Sequence, residues 1–374
     1  MIVTFRLSSL GTGGAERVFL SVASALVRTH GADVHFVVDR LGGGELERLV
    51  SAAGCSLFGL DCSRTAVSIL PMKRYIDRYR PDVVISAYTD TNMAMLLSAK
   101  ISRHQCLLIV SEHASLDEHW QYATTKRKTL LNAYVRFGYR LADHVLAVSE
   151  GIVGQIKRRM KSADNVSCIY NPVRFGESRL RAPHVEHQAA HTSGFSGKTI
   201  VAVGRIARQK DYLNLLQAFK EVTMSRDTRL VIVGEFFESA TKAILDEYIV
   251  RNDLGSRVDF VGFTDEVEQY YRGADLFVLS SAWEGFGNVL VEALAFGLPI
   301  VSTDCNHGPA EILCDGKFGT LVPVGDHAAL AAAMCASLDA PAPDRDALRA
   351  RSQDFSESRI GAQYWDLIQE LRAR

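Results

Sequence analysis

The sequence has no cysteine pair with which to staple a fold. Seven cysteines stand singly at positions 55, 62, 106, 168, 305, 314 and 335, without a C-x-x-C. The odd count argues against a disulfide framework and makes a reducing cytoplasm the expected compartment. Long apolar runs are missing too, because no window approaches the ~18 residues that a membrane span needs. The opening MIVTFRLSS has too short an apolar core for a signal peptide and is broken by Arg6, so it reads as a first strand. Net charge is nearly absent, at −1 from 42 Lys and Arg against 43 Asp and Glu, which gives no reason to expect a nucleic-acid partner. Neither half carries a G-x-G-x-x-G followed about twenty positions on by an acidic residue, which argues against a nicotinamide-dependent oxidoreductase.

The near-zero total hides a split. Residues 1–172 hold 21 Lys and Arg against 15 Asp and Glu, whereas the remainder holds 21 against 28. Such a division points to an anionic partner or surface for the first half. A chain of 374 residues is also long for one core, and the length favours two domains.

Short β-branched runs alternate with helical patterns throughout. IVTFRL, DVHFVV, DVVIS, CLLIVS, HVLAVS and VSCIY read as strands of the first half. TIVAVG, RLVIVG, VDFVG, LFVLS, PIVST and GTLVP read as strands of the second. Helical stretches between successive strands imply parallel, doubly wound sheets, hence an α/β chain of two Rossmann-like domains. The expected division is 1–174, a polar aperiodic linker over 175–197, 198–355, and a C-terminal amphipathic helix over 356–374. On that helix Ile360, Tyr364, Leu367, Ile368 and Leu371 share one face.

Parallel α/β sheets bind ligands where their strands end, and four strand-end loops carry unusual residues. In SSLGTGGAER, Gly13 and Gly14 allow close approach of a ligand at a helix start, with Glu16 in the first turn. In SEHAS, Glu112 and His113 follow a strand. In GRIARQKD, Arg205 and Lys210 share one loop beside a helix start, which suits a diphosphate, and Asp211 is placed to cap that helix. In SSAWEGFGNVLVEALAFGLPIVSTD, Glu284 and Glu292 stand seven residues apart in an otherwise apolar run. Buried carboxylates persist where something pairs with them or needs them, and a sugar needs fixed hydrogen-bonding groups of this kind.

GGAER, GRIARQKD, the E-x7-E segment and GPAEIL resemble the motifs of the retaining glycosyltransferases of family 4, and the resemblance spans essentially the whole chain. It implies the GT-B fold, with two Rossmann-like domains facing a central cleft and the C-terminal helix crossing back to the N-terminal domain. It implies that Glu284 hydrogen-bonds the donor sugar, that Glu292 holds the nucleotide ribose, and that the amides of Phe286, Gly287 and Asn288 face the sugar. Arg205 and Lys210 would grip the leaving diphosphate, His113 would contact the sugar near the reacting carbon, and Gly13, Gly14 and Glu16 would face the substrate from the first domain. Phe263 and Val289 join the nucleotide side. The loop GEFFE after LVIVG departs from the family's more usual glycine-rich turn.

The expected donor is a nucleotide sugar, a UDP-sugar ahead of GDP-mannose, giving up a hexose or N-acetylhexosamine with retention. The expected acceptor is a saccharide carried on polyprenyl diphosphate, in the assembly of a cell-surface polysaccharide such as lipopolysaccharide. No cofactor or metal is expected. The one Asp-x-Asp, DRD at 344–346, lies away from any strand end, and the histidines of HVEHQAAH (184–191) lack partners with ligand geometry. TKRKTLLNAYVRFGYRLADH combines Lys126, Arg127, Lys128, Arg136 and Arg140 with apolar residues, a pattern that suits peripheral attachment to the anionic inner face of the plasma membrane. A sugar-nucleotide epimerase of the same fold and a non-catalytic nucleotide-sugar binder remain as alternatives.

Overall fold

A computed structural model describes residues 1–11, 13–120, 123–161, 164–173 and 195–374. Met1–Arg174 with Phe355–Arg374 make one compact unit, and Phe175–Asp354 make a second. The linker expected over 175–197 lies, as far as residue 194, outside the described residues, and so do the histidines of 184–191.

In the first unit the strands are β1 (Ile2–Arg6), β2 (Asp33–Val38), β3 (Ser56–Gly59), β4 (Val83–Ala87), β5 (Leu107–Glu112), β6 (His144–Ala147) and β7 (Val166–Cys168). They form one parallel sheet in the order β3-β2-β1-β4-β5-β6-β7. The connecting helices are α1 (Gly14–His30), α2 (Glu45–Ala52), α3 (Ile69–Tyr79), α4 (Thr89–Lys100), α5 (Leu116–His119), α6 (Thr125–Phe137) and α7 (Glu150–Met160). Strands such as VVISA are buried along their whole length, as a sheet covered on both faces requires. β3 escapes the sequence reading because SLFG is a four-residue edge strand, only half-buried and paired with β2 alone.

In the second unit β8 (Lys198–Val203), β9 (Thr228–Val233), β10 (Val258–Gly262), β11 (Leu276–Leu279), β12 (Ile300–Thr303) and β13 (Thr320–Val322) pair in parallel, in the order β10-β9-β8-β11-β12-β13. Its helices are α8 (Tyr212–Thr223), α9 (Ser239–Arg251), α10 (Glu268–Arg272), α11 (Asn288–Ala295), α12 (Pro309–Leu313), α13 (His327–Asp339) and α14 (Arg345–Gln353). α14 is a helix that the sequence pattern did not announce. RDALRARSQ buries only Leu348 and Ser352, and Asp344 starts it by accepting from the amides of Asp346 and Ala347. The lone Asp-x-Asp is thereby a helix cap and first turn.

The last helix, α15 (Glu357–Ala373), belongs to the first unit, in whose core Ile360, Tyr364, Ile368 and Leu371 lie fully buried. The backbone N–H of Val173 donates to the Phe355 carbonyl at 2.9 Å, and the helix then runs along α1. Gly361 permits the close crossing, since a Cβ there would come within 2.4 Å of the Ala25 Cβ. Arg28 pairs with Glu357, and the His30 and Trp365 rings stack at 4.1 Å. No helix among the described residues is long and apolar enough to cross a membrane.

In each sheet the strand order reverses beside the first strand, between β1 and β4 and between β8 and β11. Those are the two places where such sheets open a crevice for a ligand.

Candidate functional site

The second unit builds its site at the β8/β11 reversal. Beyond β8 the chain turns at Gly204, presents Arg205 to solvent, and makes a short 3-10 turn over Arg208–Lys210 before α8. Asp211 starts that helix and accepts from the Asn214 amide at 3.4 Å, so the expected cap is present. Two bonds stitch this loop to the one after β11. The Ala282 amide donates to the Gln209 carbonyl at 2.8 Å, and the Ser280 hydroxyl donates to the Lys210 carbonyl at 2.7 Å.

The stitching brings Lys210 and Glu284 together. Lys210 Nζ lies 2.6 Å from Glu284 Oε1, with side chains only 14% and 8% exposed. Ser281 donates to the same oxygen at 2.6 Å, and Gln209 Nε2 donates to the Trp283 carbonyl at 3.0 Å and reaches Oε2 at 3.4 Å. Ser281 is itself held by Thr303, whose hydroxyl donates to its carbonyl at 2.6 Å. Gln209, Ser281 and Thr303 were not distinguishable in the sequence from ordinary loop and strand-end residues. Lys210 is therefore not a freely solvated loop cation: its ammonium is enclosed and committed to a carboxylate.

Glu292 sits one turn into α11, where the Tyr271 hydroxyl donates to its Oε2 at 2.6 Å. Burial and the Glu292 charge hold that fully buried phenol protonated, far above its usual range. Gly287 (φ +100°) precedes α11 and itself brings no side chain to cap the helix. Phe286 is buried, and its carbonyl faces Gly308 so closely that a Cβ at 308 would lie 1.7 Å from it. With φ at +103°, Gly308 of GPAEIL is required on both counts. Val289 is half-buried, and Phe263, just past β10, is exposed.

The first unit gathers its candidates at the β1/β4 reversal. Gly13 precedes α1 and lies against the Glu16 carboxylate, and the Tyr88 hydroxyl reaches Glu16 Oε2 at 3.5 Å. Gly14 is exposed. His113 Nε2 lies 3.0 Å from the Ser111 hydroxyl, while its buried Nδ1 has no hydrogen-bond partner. Burial pushes this imidazole down to about 3, so it is uncharged at neutral pH. Its ring lies 6.3 Å from that of Tyr88, a bulky residue held at φ +71°. Such backbone strain costs of order 1–3 kcal/mol and tends to collect where function needs it.

Beside His113, Glu112 is buried, and its Oε1 accepts from Tyr139, from Thr89 at 3.0 Å and from Asn92 at 3.3 Å. Burial pushes this carboxyl up to about 7 despite those donors. A cavity of about 300 Å³ opens here, with Ser8, Thr65, Tyr88, Thr89, Glu112 and Trp120 in its wall. The buried Arg6–Asp39 pair fixes one side of it, because Asp39 also accepts from Thr65 at 2.6 Å. Arg6 and Asp39 carried no motif and were legible only as strand-end charges.

Residues 12–175 match the family described as Glycosyltransferase Family 4, and residues 197–340 match the one described as Glycosyl transferases group 1. The chain belongs to this glycosyltransferase family. Among relatives of the transferase, the amylovoran biosynthesis glycosyltransferase AmsD of Erwinia amylovora is 29% identical over 313 residues, 82% of each chain. The GalNAc-alpha-(1->4)-GalNAc-alpha-(1->3)-diNAcBac-PP-undecaprenol alpha-1,4-N-acetyl-D-galactosaminyltransferase of Campylobacter jejuni is 26% identical over 385 aligned positions, covering 100% of this chain and 99% of its own. Anabaena Alr3699/HepE, solved in complex with UDP and glucose, superimposes with a TM-score of 0.79 at 20% identity, over 98% of this chain and 99% of that one. The two Rossmann-like sheets are accordingly those of the GT-B glycosyltransferases.

Two outcomes follow from this geometry. Lys210→Glu would set two carboxylates against each other in an enclosed site and should cost about 3–5 kcal/mol of stability, as breaking a buried pair does. In urea unfolding, Lys210→Met and Glu284→Gln should couple by about 1–3 kcal/mol, and strictly additive losses would show that the pair is not a unit.

A further outcome concerns pH. Because the Glu112 carboxyl titrates near 7 in the fold and near 4.5 when unfolded, the native state holds a proton between those values that the unfolded chain has lost. Stability should therefore fall as pH rises through that window, by up to about 1.4 kcal/mol per pH unit, and level off above it. Glu112→Gln should remove this contribution. Identical pH dependence of unfolding in the variant and the parent would refute it.

Proposed function

We propose that the protein transfers a hexose or N-acetylhexosamine from a nucleotide sugar, a UDP-sugar before GDP-mannose, to a saccharide acceptor, with retention of anomeric configuration. The observation that carries this reading is the Lys210–Glu284 pair at the carboxyl ends of β8 and β11. A carboxylate fixed by a lysine and a serine is an acceptor of set direction for a sugar hydroxyl.

In this reading Glu284 orients the donor sugar, and the backbone amides of Phe286, Gly287 and Asn288 bind its remaining oxygens. Glu292, steadied by Tyr271, takes the ribose, with Val289 and Phe263 along the nucleoside. Arg205 and Lys210 meet the diphosphate. Breaking the anomeric bond builds negative charge on the leaving phosphate, and a positioned cation stabilises that charge without reorganising. Within the first unit, the neutral imidazole of His113 is assigned to sugar contact, together with Gly13, Gly14 and Glu16 around the start of α1. The reaction uses no metal.

The 300 Å³ cavity supports an acceptor site in the first unit, because its hydroxyls, carboxylate and tryptophan suit a sugar ring. The names of the Erwinia and Campylobacter relatives support a lipid-linked acceptor and bacterial surface-polysaccharide assembly. α6 supports docking at the inner face of the plasma membrane. Lys126 and Arg136 are exposed beside Leu130 and Phe137, themselves 50% and 59% exposed. Leu131 and Val135 face the core instead, and Arg127 is paired with Asp90 at 2.7 Å, so the lipid-facing set is smaller than the sequence pattern suggested.

Purified protein should release nucleotide from one member of a panel of UDP-sugars and GDP-mannose when a polyprenyl-diphosphate-linked saccharide is supplied. The product should keep the donor's anomeric configuration by NMR, and turnover should persist in EDTA. An epimerised donor, or an inverted product, would overturn the reading. Loss of turnover in EDTA with recovery in Mg²⁺ or Mn²⁺ would overturn its metal-free part.

Liposome flotation tests the docking. Each cation near an anionic leaflet is worth about 1 kcal/mol and is screened within about 8 Å at physiological salt. Wild type should float with anionic vesicles and lose them in high salt, and Lys126→Glu with Phe137→Ser should not float. Equal flotation of both proteins would make α6 ordinary scaffold.

A further inference from the structure

The two cations of GRIARQKD are held in different ways, and the difference assigns a role to a residue outside every motif. Lys210 is committed to Glu284 at 2.6 Å. Among the described residues, Arg205 meets no carboxylate and no hydrogen-bond acceptor; its guanidinium carbon lies 5.0 Å from the centroid of the Phe237 ring. Phe237 is 65% exposed.

The backbone explains how the two residues meet. The β8–β9 pairing continues past the sheet: the Ile206 amide donates to the Glu235 carbonyl at 2.8 Å, and the Phe237 amide donates to the Ile206 carbonyl at 3.0 Å. Ile206 and Phe236 form the bridge, with Ile206 in the core and Phe236 packed against it near Phe260. Side chains alternate along paired extended backbone, so the neighbours Arg205 and Phe237 both turn outward, where the ring lies under the guanidinium. Carboxylates are close by in sequence, yet Glu238 serves Thr241 at 2.8 Å and the Arg208 amide at 3.4 Å.

We propose that Phe237 is a positioning residue that holds Arg205 extended for the diphosphate of the donor, an assignment that rests on the donor-binding reading above. An aromatic face attracts a guanidinium through its quadrupole but adds no net charge. A carboxylate in its place would fix the arginine equally well and cancel the charge that a phosphate needs. Since Glu284 already offsets Lys210, the Arg205 cation is the uncompensated one of the pair, and Phe237 keeps it so.

The test compares UDP, GDP and the corresponding nucleosides by calorimetry on wild type, Phe237→Tyr, Phe237→Leu, Arg205→Ala and the Phe237→Leu/Arg205→Ala double variant. Phe237→Leu should weaken the preferred nucleoside diphosphate about threefold to tenfold and raise KM for the donor correspondingly. Nucleoside affinity should stay unchanged, Phe237→Tyr should bind as wild type, and Phe237→Leu should add nothing once Arg205 is gone. An equal loss for the nucleoside would mean that the ring stacks on the base, and the proposal falls. If Arg205→Ala weakens the diphosphate but Phe237→Leu does not, the platform alone is wrong. If Arg205→Ala binds the diphosphate as wild type does, the phosphate role of Arg205 falls and takes the platform with it.

Discussion

The enclosed ion pair between Lys210 and Glu284 is the constraint around which the second unit is arranged. Neither charge is tolerable there alone, because an unpaired ion at that burial costs several kcal/mol. Holding them 2.6 Å apart requires two loops from non-adjacent stretches of chain to keep register. The register comes from β8 and β11, neighbours in the sheet, and from the two bonds that tie residues 209 and 210 to 280 and 282. Polar residues beneath the pair, Ser281 and Thr303, exist in the core because they complete this network. The pair is poor as a source of stability and effective as a means of fixing one carboxylate in one direction.

The first unit meets a related problem with groups of weaker charge. His113 is uncharged through burial, and Glu112 beside it has its ionised form disfavoured, with three donors gathered on one oxygen. Polar atoms at the β1/β4 reversal are thus oriented without strong fields. That suits the recognition of hydroxyl groups, which are themselves neutral. The strained φ of Tyr88 sits at the same point, where β4 ends and α4 begins.

Much of this was legible in the sequence, for identifiable reasons. The alternation of β-branched runs and helices predicted twelve of the strands in place, because parallel strands covered by helices are written as largely apolar runs. β3 was missed because a short edge strand needs no such run. The E-x7-E spacing and the Arg/Lys loop pointed to residues that the fold does place at a strand reversal, since carboxylates in an apolar segment require a cause. What the sequence could not carry was pairing across distance. That Lys210 faces Glu284, that Tyr271 serves Glu292 and that Arg6 with Asp39 props Thr65 depend on strand order, which no local pattern contains. The same limit made α6 look wholly amphipathic toward a membrane, when Leu131 and Val135 of its apolar residues pack inward.

The departure at GEFFE is instructive because it was visible as an anomaly and became intelligible only through geometry. A glycine-rich turn would offer backbone amides. Two phenylalanines offer an inward anchor, Phe236, and an outward face, Phe237, and the alternation of extended chain assigns them to opposite sides. An exposed phenylalanine in a loop reads as a defect until the cation above it is seen to have no counter-ion among the described residues. On the proposed reading, in which the site stabilises charge developing on a leaving group, an attractive but uncharged support for an arginine leaves most of its field for the substrate. The electrostatic asymmetry of the two cations, one neutralised to orient a carboxylate and one left bare, then follows from the two different things the loop has to do.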